Sequence, residues 1–174
     1  VELPYKRLAK LSPDGDNVVL IPTFYGGRHP DTEYFMANGR ALNPEKYFVL
    51  IVKMFCTGLS SSPSNPPAPN GRGAFPAISL YDNVKCQHCL VTEQLGLSRL
   101  KLVTGFSMGG MQTFQWGALD SEMVDAIVPI CVSAKTAAHN QLMIEGPTSA
   151  LRTDAAFADG WYDTVPMKGM LAFG

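Results

Sequence analysis

The stretch Leu100-Lys-Leu-Val-Thr-Gly-Phe-Ser-Met-Gly-Gly-Met-Gln-Thr-Phe-Gln-Trp-Gly-Ala-Leu119 decides the fold. Leu100 to Thr104 is a short apolar, β-branched run and reads as a strand. Met108 to Leu119 has no proline and puts Met111, Phe114, Gln115 and Ala118 on one side of a helix. Between them stands Gly105-Phe106-Ser107-Met108-Gly109, a G-x-S-x-G. A strand that bends straight into a helix has room only for small residues beside the serine, and Gly105 and Gly109 supply them. Gly110 eases packing of helix on strand. The expected result is a nucleophile elbow, with the Ser107 hydroxyl exposed at the C-terminal edge of a sheet. The bland alternative is a glycine-rich turn with an idle serine.

Outward from this block the pattern repeats. Asn17–Ile21, stopped by Pro22, Tyr47–Val52 and Ala126–Val132 are further near-continuous apolar runs. Such runs are how strands read when both faces of a parallel sheet are covered. Asp82 to Leu95 reads as a helix with Asp82 as N-cap, Val84, Val91 and Leu95 at helical spacing, and a stop at Gly96. Strands alternating with helices predict an α/β fold with a mostly parallel sheet. Ser60–Pro76 holds too much proline and glycine for a helix or inner strand and reads as a long surface loop of that fold.

The 174 residues are enough for one domain with a sizeable core. Apolar residues make up 46% and charged ones 17%, a globular balance, and the net charge is −1. A near-neutral chain has no electrostatic reason to seek nucleic acid or an anionic membrane, and no apolar run reaches the length of a membrane span. The expected compartment is the cytoplasm, and the sequence shows no signal-peptide pattern. Cys86-x-x-Cys89, with His88 inside it, has no second Cys/His pair at zinc-finger spacing; we read it as small helix residues one turn apart and expect no metal.

A serine hydroxyl needs a proton acceptor, a group to orient that acceptor, and donors for a developing oxyanion. The donors can be located. One is the backbone N–H of Met108, after the nucleophile. The second is expected from the loop Pro22-Thr-Phe-Tyr-Gly-Gly27, where the glycines allow close approach of backbone to ligand, and Phe24 is the chosen donor. The base is harder. Only His139 follows Ser107, and Asp154, Asp159 and Asp163 come after it, out of the Asp-then-His order of an elbow enzyme. His29 is expected to line the pocket and His88 to be a packed or surface residue; none of the three is expected to be the base. Phosphate-binding glycine motifs are absent.

The block Gly105–Ala118, then Met123-Val-Asp125 and the run to Ser133-Ala134, resembles the homoserine O-acetyltransferase family of α/β-hydrolases. So do Asp82-Asn-Val84 with Gln87, Leu95-Gly96, Asn140, and the segment Gly160-x-Tyr162 to Pro166-x-x-Gly169. The resemblance implies an α/β-hydrolase fold and a serine that accepts an acetyl group from acetyl-CoA and passes it to an alcohol. It carries the nucleophile role onto Ser107 and the oxyanion roles onto Phe24 and Met108. It also implies a triad aspartate and histidine, beyond a helical lid, that residues 1–174 do not contain. The chain therefore reads as the N-terminal portion of one such domain, incomplete without its lid and last strands. A second polypeptide carrying the C-terminal part is the expected partner, a small molecule the expected substrate, and a homodimer of such units a further expectation. Thr148 stands where that family usually has an arginine that helps hold the amino-acid substrate. A threonine offers no bidentate fork for a carboxylate, which counts against homoserine as acceptor. The leading expectation is a serine-dependent O-acyltransferase with acetyl-CoA as co-substrate and no cofactor. An ester hydrolase using the same acyl-enzyme and a non-catalytic α/β-hydrolase subunit are the alternatives.

Overall fold

The computed structural model describes every residue except Ala37, Asn38, Ala68 and Gly174. In chain order it contains strand β1 (Tyr5–Leu8), β2 (Val18–Pro22), helix α1 (His29–Thr32), β3 (Phe48–Val52), α2 (Leu80–Cys89), β4 (Leu102–Phe106), α3 (Met108–Leu119), β5 (Ile127–Ile130), α4 (Ala138–Thr153) and α5 (Met167–Phe173). Two compact units result: Val1–Ser62 with Ala77–Val132, and Pro63–Pro76 with Ser133–Gly174. No helix among the described residues is long and apolar enough to cross a membrane.

The first unit is the sheet and its helices. The strand order is β1-β3-β2-β4-β5, parallel throughout except for β1, which runs antiparallel to β3. The period of two along each strand divides the core. Val18, Leu20, Phe48, Leu50, Val52 and Val103 face one layer with Val84, Val91 and Trp116. Val19, Ile21, Val49 and Ile51 face the other with Met36 and Leu42. β2 and β3 are buried along their whole length, which is why they read as unbroken apolar runs.

The expected strands are present, with ends moved by a residue or more. The run from Leu100 pairs as a strand only from Leu102 and continues through Phe106; Leu100 makes an isolated bridge to Val124. The run Ala126–Val132 narrows to four paired residues that include Pro129, and β5 is half exposed because nothing described pairs with its outer side. The N-cap of α2 is Ser79 and not Asp82. Ser79 Oγ accepts from the Asp82 N–H (3.2 Å), while the Asp82 carboxylate accepts from the Ser79 N–H (2.8 Å). Asp82 is thus the third-position acid of a capping box, and the Ser79 hydroxyl and amide hold its carboxyl below the usual range. The helix does not run unbroken to Leu95. It widens into a π-helical turn over Leu90–Gln94, then stops at Gly96, whose φ of +64° is left-handed and suits glycine.

The face of α3 also differs from expectation. Gly109, Gly110, Gln112, Thr113 and Trp116 are buried, while Met111, Phe114 and Gln115 are only partly so and Ala118 is exposed. The reason is proximity. A Cβ on Gly109 would come within 2.5 Å of the Pro22 carbonyl oxygen, so the side facing the sheet carries glycine where large apolar residues would not fit.

The second unit gathers the proline-rich segment, apart from Ala68 which lies outside the described residues, with α4 and α5. That segment is a loop as expected, save for a 3-10 turn at Arg72–Ala74. The Arg72 guanidinium meets Asp163 at 2.7 Å, and Gly73 sits so close to the Trp161 indole that a Cβ would overlap it. Asp154 accepts from the Gly169 N–H (2.8 Å) and the Ala156 N–H (3.0 Å), which lowers its carboxyl pKa and ties α4 to α5. Among the described residues of this unit only Pro166 and Gly169 are buried.

Candidate active site

Ser107 occupies the bend between β4 and α3, with φ +52° and ψ −121°. Few side-chain-bearing residues take such a backbone, and strain of this kind persists only where neighbours hold it. Here the Ser107 N–H donates to Ile130 O (2.9 Å), and its carbonyl accepts from the Met111 N–H (3.1 Å). The tightness of the bend is visible at its flanks: a Cβ on Gly105 would overlap the Gly109 carbonyl, and one on Gly110 would press on Val132 Cγ1 at 2.7 Å. Ser107 is exposed, as an elbow requires. Among the described residues no side chain accepts a hydrogen bond from its hydroxyl.

The loop after β2 is fixed from several sides. Thr23 is wholly buried. Its N–H donates to Val52 O (2.9 Å), and its hydroxyl accepts from the Met54 N–H (3.2 Å). Lys53, also buried, donates from Nζ to Gly27 O at 2.8 Å. Burial lowers the pKa of that ammonium, the Asp31 carboxylate working against it. The Phe24 ring packs edge-on against Phe106, the residue before the serine, with centroids 6.0 Å apart. Neither the Phe24 N–H nor the Met108 N–H is engaged in a hydrogen bond among the described residues. The Met108 amide adjoins the exposed serine in the chain, and Phe24 reaches the elbow through its ring contact with Phe106.

Among the described residues none of the three histidines is hydrogen-bonded to Ser107. His88 on α2 faces Asp120 at 3.6 Å and lies beside Trp116, a packed residue as expected. His139 lies in the second unit, exposed on α4. His29 does not line the apolar cavity beside the elbow, contrary to expectation. That cavity, about 360 Å³, is lined by Phe24, Tyr34, Phe35, Leu42, Gly105 and Phe106 among others. Among the described residues His29 Nε2 is buried and meets no hydrogen-bond partner, and burial, followed by the Lys53 charge, lowers the pKa of the ring. Cys86 and Cys89 are free thiols, and no cluster of three or more His, Cys, Asp or Glu suited to a metal occurs among the described residues.

Sequence reading missed one feature of the site. Gln112 is fully buried and links the loop after β2 to α3, donating from Nε2 to Thr23 O (3.0 Å) and Met108 O (3.3 Å). The available signal was its spacing: it lies three residues after Gly109 and four before Trp116, on the glycine-bearing side of the helix.

Residues 16–164 match the family model described as alpha/beta hydrolase fold. The chain is 37% identical over 153 residues to an ethyl acetate hydrolase of Pseudomonas veronii, covering 87% of this chain and 44% of that protein. It is 32% identical over 181 residues to a homoserine O-acetyltransferase of Chlorobaculum tepidum, covering 99% of this chain and 51% of the relative. The solved acetyl esterase MekB superposes with a TM-score of 0.90 at 34% identity, over 97% of this chain and 50% of the esterase. The chain spans about half the length of these relatives. The expected fold and the likeness to homoserine O-acetyltransferases are both borne out, and acetyl esterases stand beside them.

Proposed function

The chain belongs to the alpha/beta hydrolase fold family, and from that membership we propose that Ser107 carries a short acyl group, of acetyl size, taken from an ester. The carrying observation is the strained, exposed Ser107 bend between β4 and α3; the Phe24 and Met108 amides, which make no hydrogen bond among the described residues, are the oxyanion donors of this reading. The Ser107 oxygen attacks the ester carbonyl while its proton passes to a base. The two amides receive the oxyanion, the alcohol leaves with a proton, and Ser107 is left acylated. Water then releases the acid. The likeness to an ethyl acetate hydrolase and to an acetyl esterase supports water as acceptor. So does Thr148, whose hydroxyl is turned onto its own helix at Ile144 O (2.9 Å). A second reading, transfer to an alcohol with acetyl-CoA as donor, is supported by the likeness to a homoserine O-acetyltransferase over nearly the whole chain.

The proton acceptor is brought by a second polypeptide segment carrying the C-terminal part of the fold. Two observations support this: no histidine is bonded to Ser107 among the described residues, and β5 offers an unpaired outer edge beside exposed Phe106 and Val128. Intact mass measurement of an active native sample tests the assembly; a single 18.9 kDa species with full activity overturns it.

The chemistry is tested by rapid mixing of the intact protein with p-nitrophenyl acetate. A nitrophenolate burst equal to the enzyme concentration, absent in Ser107→Ala, is expected. Added alcohol that accelerates turnover and appears as its acetate selects the transferase; acetate alone selects the hydrolase. No burst in the native protein overturns both.

A further inference from the structure

Gln112 is more than core filling. Its Oε1 accepts from Gln87 Nε2 (2.7 Å), and Gln87 Oε1 accepts in turn from Trp116 Nε1 (2.8 Å). All three side chains are wholly buried. Stability alone does not ask for this, because apolar side chains of the same shape would fill the space without needing partners. The far end of the chain of bonds explains it better. Thr23 C=O and Phe24 N–H are opposite ends of one planar peptide group. A donor on the carbonyl restrains rotation of that plane and polarises it, so the Phe24 N–H is aimed and strengthened together. The same amide reaches Met108 O in the first turn of α3, the turn that presents the Met108 N–H.

We propose that Gln112 is a positioning residue for acyl transfer, holding the Phe24 peptide at a fixed aim relative to the Met108 amide. The inference rests on the acyl-enzyme reading above. It predicts an effect on transition-state stabilisation and little on substrate binding, because the oxyanion reaches its full charge only as the carbonyl becomes tetrahedral.

The test compares intact wild type, Gln112→Met and Thr113→Val with p-nitrophenyl acetate and with a methyl trifluoromethyl ketone, which forms a tetrahedral adduct on the serine. Thr113 is the control because it is equally buried on the same helix but bonds only its own turn, at Gly109 O (2.9 Å). Gln112→Met is expected to lower kcat about 10- to 100-fold, less than or equal to the loss of a whole oxyanion donor, with KM nearly unchanged. Its affinity for the ketone falls by a similar factor, and Thr113→Val keeps both. Equal kcat per folded molecule in Gln112→Met and wild type overturns the proposal, as does an equal loss in Thr113→Val. If Gln112→Met does not fold, Gln112→Glu read across pH decides. The neutral acid can donate to Thr23 O and the carboxylate cannot, so its kcat relative to wild type must fall as pH rises; a flat ratio overturns the inference. Failure of the acyl-enzyme reading shows differently, as a wild type without a Ser107-dependent burst, and the inference falls with it.

Discussion

Ser107 combines a side chain with a backbone conformation that glycine adopts far more readily. Replacing it by glycine releases the strain and removes the nucleophile. Ser107→Gly is therefore expected to raise stability by about 1 kcal/mol, seen as a higher denaturant midpoint, while abolishing acylation. A second consequence at this scale concerns His29. Its folded-state pKa lies below the ordinary 6.5, so the unfolded chain binds the proton more readily. Stability contributed by the neutral ring is present above pH 6.5 and is lost as pH falls from there through the lowered value. His29→Gln should flatten that part of the curve, and urea titrations between pH 7 and 5 would show it. At this scale the serine was legible, because G-x-S-x-G needs only small residues at fixed offsets. Gln112 was not legible, because a glutamine inside a helix looks the same whether it meets water or a buried carbonyl.

Helix α3 approaches the sheet so closely that its glycines are a geometric requirement. A Cβ at position 109 meets the carbonyl of Pro22, the last residue of β2, directly before the loop that carries Thr23 and Phe24. Backbone cannot rotate away as a side chain can. Gly109→Ala is expected to cost about 2–4 kcal/mol and to lower activity further by shifting that loop. Gly110→Ala meets the Val132 side chain instead and should cost less; thermal melts of the pair give the order. The elements found from sequence are those with unbroken apolar runs or helical spacing. β1 escaped notice because Tyr5-Lys-Arg-Leu8 alternates between exposed and half-buried positions at the sheet edge and holds no apolar run. α4 escaped because it buries no side chain and carries Gly146-Pro147 in its middle.

The two units differ in what they enclose. The sheet unit hides Val18, Leu20, Leu50, Ile51 and Trp116 completely. The unit of α4 and α5 leaves Leu142 at 69%, Ile144 at 56% and Leu171 at 75% exposed. Little apolar burial means cheap local opening. Amides of residues 138–153 should therefore exchange with solvent deuterium many-fold faster than those of β2 and β3, and mass-resolved exchange reads this directly. Fold class was legible at this scale because alternation of strands and helices survives without knowing any contact. The division into two units was not, because nothing in Pro63–Pro76 marks it as packing with Ser133–Gly174 in place of the strands it follows.

The proline in β5 has a consequence for how that border can be extended. The carbonyls of Ala126 and Ile130 accept from β4, at Val103 and Ser107, so the backbone of Pro129 looks the other way, where it has no hydrogen to offer. An arriving strand finds one rung missing between Ile127 and Cys131. Sliding by two residues, the smallest step that keeps its side chains on the same faces, would set the gap against a different carbonyl. Every alignment leaves one carbonyl of the newcomer without a donor, so indiscriminate stacking of like borders is discouraged.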